Sequence, residues 1–191
     1  MIECKYISMK ILNLILCCFL TYSSNSFATP REVTEGKVLR EVPMNQITAQ
    51  GITGKTSLFS AYRGKPLMIN VWASWCGPCR DEMASLANLS KQYGGKQFNV
   101  IGISTDDDAS AAASAIKSGK LTFTNFIDHD LILENMLGAD TIPLTILVDA
   151  DGRVVKKIRG SQAWDDANAI KLIEDTFQLR LTPAESNKKH T

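Results

Sequence analysis

Near-continuous apolar runs along this chain take turns with stretches in which apolar residues recur at helical spacing. Pro66-Leu67-Met68-Ile69-Asn70-Val71-Trp72 is almost unbroken and rich in strand formers, which predicts a central strand covered on both faces. A helix is expected from about Cys79 to Tyr93, with Met83, Leu86, Leu89 and Gln92 along one side and Gly94-Gly95 as its stop. Phe98 to Ser104 fits a second central strand, and the Asp106 to Asp108 run offers N-capping for an alanine-rich helix up to Ser118. Strand, helix and strand in this order imply a right-handed parallel crossover. Thr122 to Ile127 is short and β-prone, Asp130 to Leu137 has helical character, and Leu144 to Val148 returns as strand. Asp151-Gly152 predicts a tight turn into an antiparallel strand from Val154 to Ile158, followed by an amphipathic helix over Trp164 to Phe177. Ahead of all this, Ile47 to Phe59 reads as a small N-terminal β-hairpin covering one edge of the sheet. The whole is an α/β domain: a βαβ unit, an inserted helix-strand element and a ββα unit, giving a central mixed β-sheet flanked by helices.

The two ends follow other patterns. Lys5 and Lys10 precede an apolar run from Ile11 to Leu20 and then small residues around Ser26-Phe27-Ala28, so residues 1–28 read as a signal peptide cleaved after Ala28. The apolar run is about half of the roughly 20 residues that cross a bilayer, which argues against a membrane anchor. Leu16 and Cys17 stand where a lipoprotein signal needs a small residue, which argues against lipid attachment at Cys17 or Cys18. Residues 29–40 lack periodicity and are expected to be a flexible arm, 41–180 to form the domain, and 181–191 to be a disordered tail.

Composition narrows the function. With 191 residues, 45% of them apolar, the chain has enough material for one sizeable core. Its 21 basic and 20 acidic residues give a formal net charge of +1, which suggests no long-range attraction to nucleic acid. Cleavage after Ala28 would remove Cys4, Cys17 and Cys18 and leave only Cys76 and Cys79. Two cysteines three positions apart close almost no loop, so in an exported protein their value is chemical rather than structural. A strand ending in Ala73-Ser74-Trp75 delivers Cys76 to the first turn of a helix, where unpaired N–H groups and the helix dipole favour a thiolate. Such a setting lowers a thiol from about 8.5 to roughly 3.5–7.5. Cys76 is therefore the expected nucleophile, and Cys79, one turn on and deeper, the resolving cysteine. Pro78 has its ring angle preset for a first helical turn, Gly77 leaves the approach open, and Trp75 is expected to border the substrate surface.

The segment Val71-Trp72-Ala73-Ser74-Trp75-Cys76-Gly77-Pro78-Cys79 resembles the active-site segment of the thioredoxin superfamily. The run from Cys76 to Met83 is similar, more narrowly, to exported oxidoreductases of the TlpA and ResA type, a resemblance that covers about residues 40 to 178. It implies a thioredoxin fold and a redox-active Cys76-Cys79 disulfide with no other cofactor and no metal. It implies a cis-proline at Pro143, whose neighbour Ile142 would pair its backbone with a substrate strand. It also implies a proton-handling role for Glu82; the plainer reading is an exposed first-turn acid that favours the helix dipole. Asn70 stands where cytoplasmic thioredoxins carry an aspartate, which rules out that base, and Ala84 replaces a helix-kinking proline of many relatives.

With the resemblance, these features lead to an expected periplasmic protein-disulfide reductase, a monomer acting on exported protein substrates and, as the resemblance implies, fed by a membrane thiol-disulfide donor as relatives are during cytochrome c maturation or copper-site assembly. The Gly-Pro dipeptide favours the reducing direction. A disulfide oxidase or isomerase would use the same residues in another direction, and a Cu(I) metallochaperone would use the two thiolates without turnover. Peroxide reduction is disfavoured by Ala73, where peroxiredoxins carry Thr or Ser. His129 and His190 lack ligand spacing and are expected on the surface, and Asp106 to Asp108 are expected to cap and be solvated.

Overall fold

The computed structural model describes residues 32–183. The expected signal peptide and most of the expected tail lie outside the described residues. The elements are β1 (Met44–Thr48), β2 (Gly51–Ser57), a 3-10 turn (Phe59–Tyr62), β3 (Leu67–Trp72), α1 (Gly77–Tyr93), β4 (Asn99–Ser104), α2 (Ala109–Ser118), β5 (Thr124–Ile127), α3 (Ile132–Leu137), β6 (Leu144–Val148), β7 (Val154–Arg159) and α4 (Ala167–Phe177). Among the described residues seven strands form one mixed sheet in the order β2-β1-β5-β4-β3-β6-β7. β3, β4 and β5 run parallel, and β6 and β7 are added antiparallel on one side. This is the mixed sheet between helices that the order of elements predicts, and the fold that the resemblance to the thioredoxin superfamily implies.

Every residue of β3 and of β6 is buried, as expected for strands covered on both faces. Alternation along β3 sends Leu67, Ile69 and Val71 into a core with α3, and Met68 and Trp72 to the opposite face with α1, α2 and α4. Asn70 shares the second face and so lies beneath α1. Gly102 of β4 permits a close crossing there: the Trp72 indole N–H donates to Asn125 Oδ1 (3.2 Å), and a Cβ at residue 102 would collide with Asn125 and lie 2.8 Å from Trp72 Nε1.

Several boundaries differ from the sequence reading. α1 starts at Gly77 with Cys76 as its N-cap, and it buries Tyr93 rather than Gln92 at its end. The hairpin does not merely cover an edge; β1 pairs with β5 and so extends the sheet by two strands, with Ala49-Gln50 as the turn. α4 begins after Asp166, whose side chain accepts from Ala169 N (2.7 Å), which leaves Trp164 ahead of the helix and fully buried.

The arm expected to be flexible is tied down over residues 32–40. Gly36 N donates to Val154 O (2.8 Å), Val154 N to Lys37 O (2.8 Å) and Leu39 N to Gly152 O (2.8 Å), while Lys157 Nζ meets Glu32 at 2.7 Å. Edge strand β7 offers unpaired backbone groups, and this segment satisfies those of Val154 and, through Glu35, the N–H of Lys157, with only Val33 and Leu39 buried, too sparse a pattern to register as a period. At the other end Leu181 and Thr182 are also held, their N–H groups donating to Glu174 and Gln97.

Candidate active site

Cys76 and Cys79 form a disulfide at the N-terminus of α1, with Cα atoms 5.3 Å apart. Both residues are largely covered, Cys79 more fully than Cys76. The backbone N–H of Cys79 points at Cys76 Sγ (3.2 Å), so the first turn of the helix already presents a donor to the sulfur that would carry charge as a thiolate. The Ile142–Pro143 peptide is cis and precedes β6; the Ile142 carbonyl oxygen lies 3.8 Å from Cys76 Sγ. Antiparallel pairing of β3 with β6 puts the end of one strand beside the start of the other, and so brings residues 76 and 142 together. Trp75 projects outward with 67% of its surface exposed, and nothing lies within 4 Å of where a Gly77 side chain would begin. Pro78 is exposed in the first turn of the helix and Pro143 is buried.

Glu82 is not the exposed first-turn acid of the plainer reading; it is 1% exposed. Three residues after Cys79, it faces the sheet, where Oε1 accepts from the Asn70 side-chain amide (2.7 Å). Oε2 accepts from the Gln162 backbone N–H (3.0 Å) and the Trp164 indole N–H (3.0 Å). Burial pushes its carboxyl above the ordinary range, and the three donors oppose that shift without cancelling it. Asn70 also donates to Thr145 Oγ1 (3.1 Å), which ties the carboxylate to β6, the strand that follows the cis peptide.

A second buried carboxylate is not evident from the sequence. Asp106, expected there to be solvated or to cap α2, does neither; Asp108 is the cap, accepting from Ser110 N (2.8 Å). Asp106 instead sits 2% exposed at the end of β4, accepting from Ser74 N (2.9 Å), Ser74 Oγ (2.6 Å) and Ser104 Oγ (2.7 Å). The Arg80 guanidinium donates to the Ser74 carbonyl (3.1 Å) from the other side. The turn that carries Trp75 and Cys76 is therefore clamped through both backbone groups of Ser74. A serine two positions before Cys76 is the one available signal, and serine is too common in turns to be informative. His129 lies apart on the surface beside Asp130.

An arrangement of this kind can carry out thiol chemistry: a sulfur beside a helix N–H and facing a backbone carbonyl, a second, more deeply buried sulfur bonded to it, and a buried carboxyl on the same helix. Comparison with known proteins agrees. The Redoxin family profile matches residues 40–173. A thiol-disulfide oxidoreductase ResA of Bacillus cereus is 30% identical over 154 residues, covering 80% of this chain and 86% of that protein. ResA of Bacillus subtilis (strain 168) is 27% identical over 164 residues, covering 83% and 89%. Among solved structures, a Chlorobium tepidum protein described as the thiol:disulfide interchange protein DsbE superposes with a TM-score of 0.67 at 23% identity. It spans 76% of this chain and 99% of its own, a likeness that bears on the fold alone.

Proposed function

We propose, from the premise that this chain belongs to the Redoxin family and is a TlpA/ResA-like member of the thioredoxin superfamily, that it is a thiol:disulfide oxidoreductase working as a reductase of exported protein disulfides. The observation that carries this reading is the Cys76-Cys79 pair at the start of α1, facing the Ile142 carbonyl.

In the reduced protein the Cys76 thiolate attacks one sulfur of a substrate disulfide, forming a mixed disulfide and expelling the other substrate sulfur as a thiolate. Cys79 loses its proton and attacks Cys76 Sγ, the second substrate sulfur leaves as a thiolate, and Cys76-Cys79 is oxidised. Two electrons pass from the dithiol to the substrate, and a membrane thiol-disulfide donor restores the dithiol. The Cys79 N–H stabilises charge on Cys76, and Glu82, on the same face as Cys79, takes up the proton that Cys79 sheds. A substrate strand docks its backbone on Ile142 beside Pro143, with Trp75 and the open Gly77-Pro78 surface around it. The expected setting is the periplasm after loss of residues 1–28, with substrates of the cytochrome c maturation or copper-site assembly type.

Titration of the chain against a graded dithiol buffer, with thiol trapping at each step, tests the direction. A potential near or below about −250 mV supports the reductase, and a value above about −150 mV replaces it with a disulfide oxidase. Cys79→Ala is expected to accumulate the mixed disulfide on Cys76, and Cys76→Ala to accumulate none.

A further inference from the structure

Glu82, Ser85 and Asn88 are three residues apart along α1 and thus share a face. All three bond to the segment between β7 and α4. Glu82 accepts from Gln162 N and Trp164 Nε1; Ser85 Oγ accepts from Trp164 N (3.1 Å) and lies 3.3 Å from Gln162 O; Asn88 donates to Asp165 Oδ2 (2.8 Å). Trp164 is fully buried and packs with Met68, Leu86, Leu89 and Ile173. Packing alone would be satisfied by any large apolar ring; the indole nitrogen is aimed at a carboxylate, and an indole N–H can donate but not accept.

We infer that Trp164 is a positioning residue for proton transfer at the cysteine pair, its indole N–H holding the Glu82 carboxylate in place and ready to receive a proton. The inference rests on the reading of Glu82 as the proton carrier. Trp164 reaches the site from 82 residues further along the chain, through a segment stitched to α1 at three successive positions. The Gln162 N–H shares the same oxygen and Asn70 holds the other, so the carboxylate is fixed from β3 on one side and from the β7–α4 segment on the other.

No other charge intrudes on this cluster among the described contacts. β3 and β6 contribute no ionisable side chain. On α1, Arg80 engages the Ser74 carbonyl and Asp81 is exposed. Asp165 is held by Asn88, Asp166 caps α4, and Lys171 pairs with Asp175 on the exposed side of α4. On β7, Lys156 is exposed, Lys157 is paired with Glu32 and Arg159 with Asp140. In the reduced protein Cys79, three residues before Glu82 on the same helix face, is the titratable group that remains.

The test is the pH dependence of disulfide reduction by the reduced full chain, measured for the unsubstituted protein, Trp164→Phe, Glu82→Gln and the double variant. Phenylalanine keeps an aromatic ring in the core and removes the donor, at the cost of the volume of the indole's second ring. The pH step belonging to Glu82 should vanish in Glu82→Gln, move upward by about one pH unit in Trp164→Phe, and be absent in the double variant. A step that persists in Glu82→Gln sinks the proton-carrier reading itself. A step that vanishes there yet stays in place or moves down in Trp164→Phe overturns the role of Trp164 alone. Should Trp164→Phe fail to fold, the unsubstituted protein decides the question. The Trp164 indole N–H resonance must titrate with the same midpoint as the Glu82 carboxyl carbon, and a resonance indifferent to that midpoint overturns the inference.

Discussion

Two buried carboxylates flank the cysteine pair, and they are solvated by different chemistry. Glu82 lies behind α1 and is met only by N–H groups, from Asn70, Gln162 and Trp164. Asp106 lies in front, at the end of β4, and two of its three bonding groups are hydroxyls. A hydroxyl can rotate to accept as well as donate, whereas a backbone or indole N–H can only donate. The Ser74 and Ser104 hydroxyls can readjust when Asp106 changes. Around Glu82 the donors remain pointed at an empty place when the carboxylate is lost. The first environment tunes an ionisable group, and the second holds a turn in position.

The largest effect expected from this contrast is on stability. Glu82→Ala leaves the buried Asn70 and Trp164 donors and the part-buried Gln162 N–H without their acceptor and should lower the unfolding free energy of the oxidised protein by about 2 kcal/mol, against about 1 kcal/mol for Asp106→Ala. Urea unfolding at pH 7 ranks the two, and the reverse order would break the comparison. A smaller effect is a pH dependence with a definite sign. Burial raises the Glu82 carboxyl above its ordinary value of 4.5, so the folded state holds this proton more tightly than the unfolded chain does. Stability contributed by Glu82 is therefore present in full below about pH 4.5 and is lost as pH rises through the raised folded value, at about 1.4 kcal/mol for each pH unit between the two. Asp128 and Glu134 are raised by burial as well and act in the same direction, so the quantity to measure is the difference between the unsubstituted protein and Glu82→Gln. That difference should move against the unsubstituted protein as pH rises, and a flat difference would remove the distinction between the two carboxylates. The smallest expected change is at Trp75, which the Asp106 clamp presents to solvent. Trp75→Ala should alter stability by less than about 0.5 kcal/mol while slowing reduction of a protein disulfide more than that of a small disulfide. Equal slowing of both would mean that the clamp does not serve to display this ring.

The fold is largely legible in the sequence because its central strands are nearly uninterrupted apolar runs and its helices keep strict spacing. Leu144 to Val148 and the start of β7 at Val154 can be placed by sequence alone. Cys76 and Cys79 are legible because their chemistry depends on local position at a helix start. Glu82 can be placed on the Cys79 face from spacing, but its burial depends on Trp164 and Gln162, some 80 residues away. Asp106 is hidden by its neighbours: three consecutive aspartates look like caps and solvated charges, and only the return of β4 beside the end of β3 puts one of them against Ser74. The N-terminal segment reads wrongly as a loose arm because it is attached largely through backbone groups and through isolated side chains such as Glu32, Glu35, Val33 and Leu39, which form no period along the sequence.

That attachment has a consequence for how copies of this protein behave in a crowded solution. An open sheet has two flanks on which another chain could add a strand, the first step toward intermolecular β aggregation. Residues 36–39 already occupy the start of the β7 flank, at Gly152 and Val154, and β2 on the opposite flank is exposed and carries Thr53, Lys55 and Thr56 rather than a continuous apolar ridge. The strip of chain at residues 36–39 thus leaves less of that flank open to an added strand.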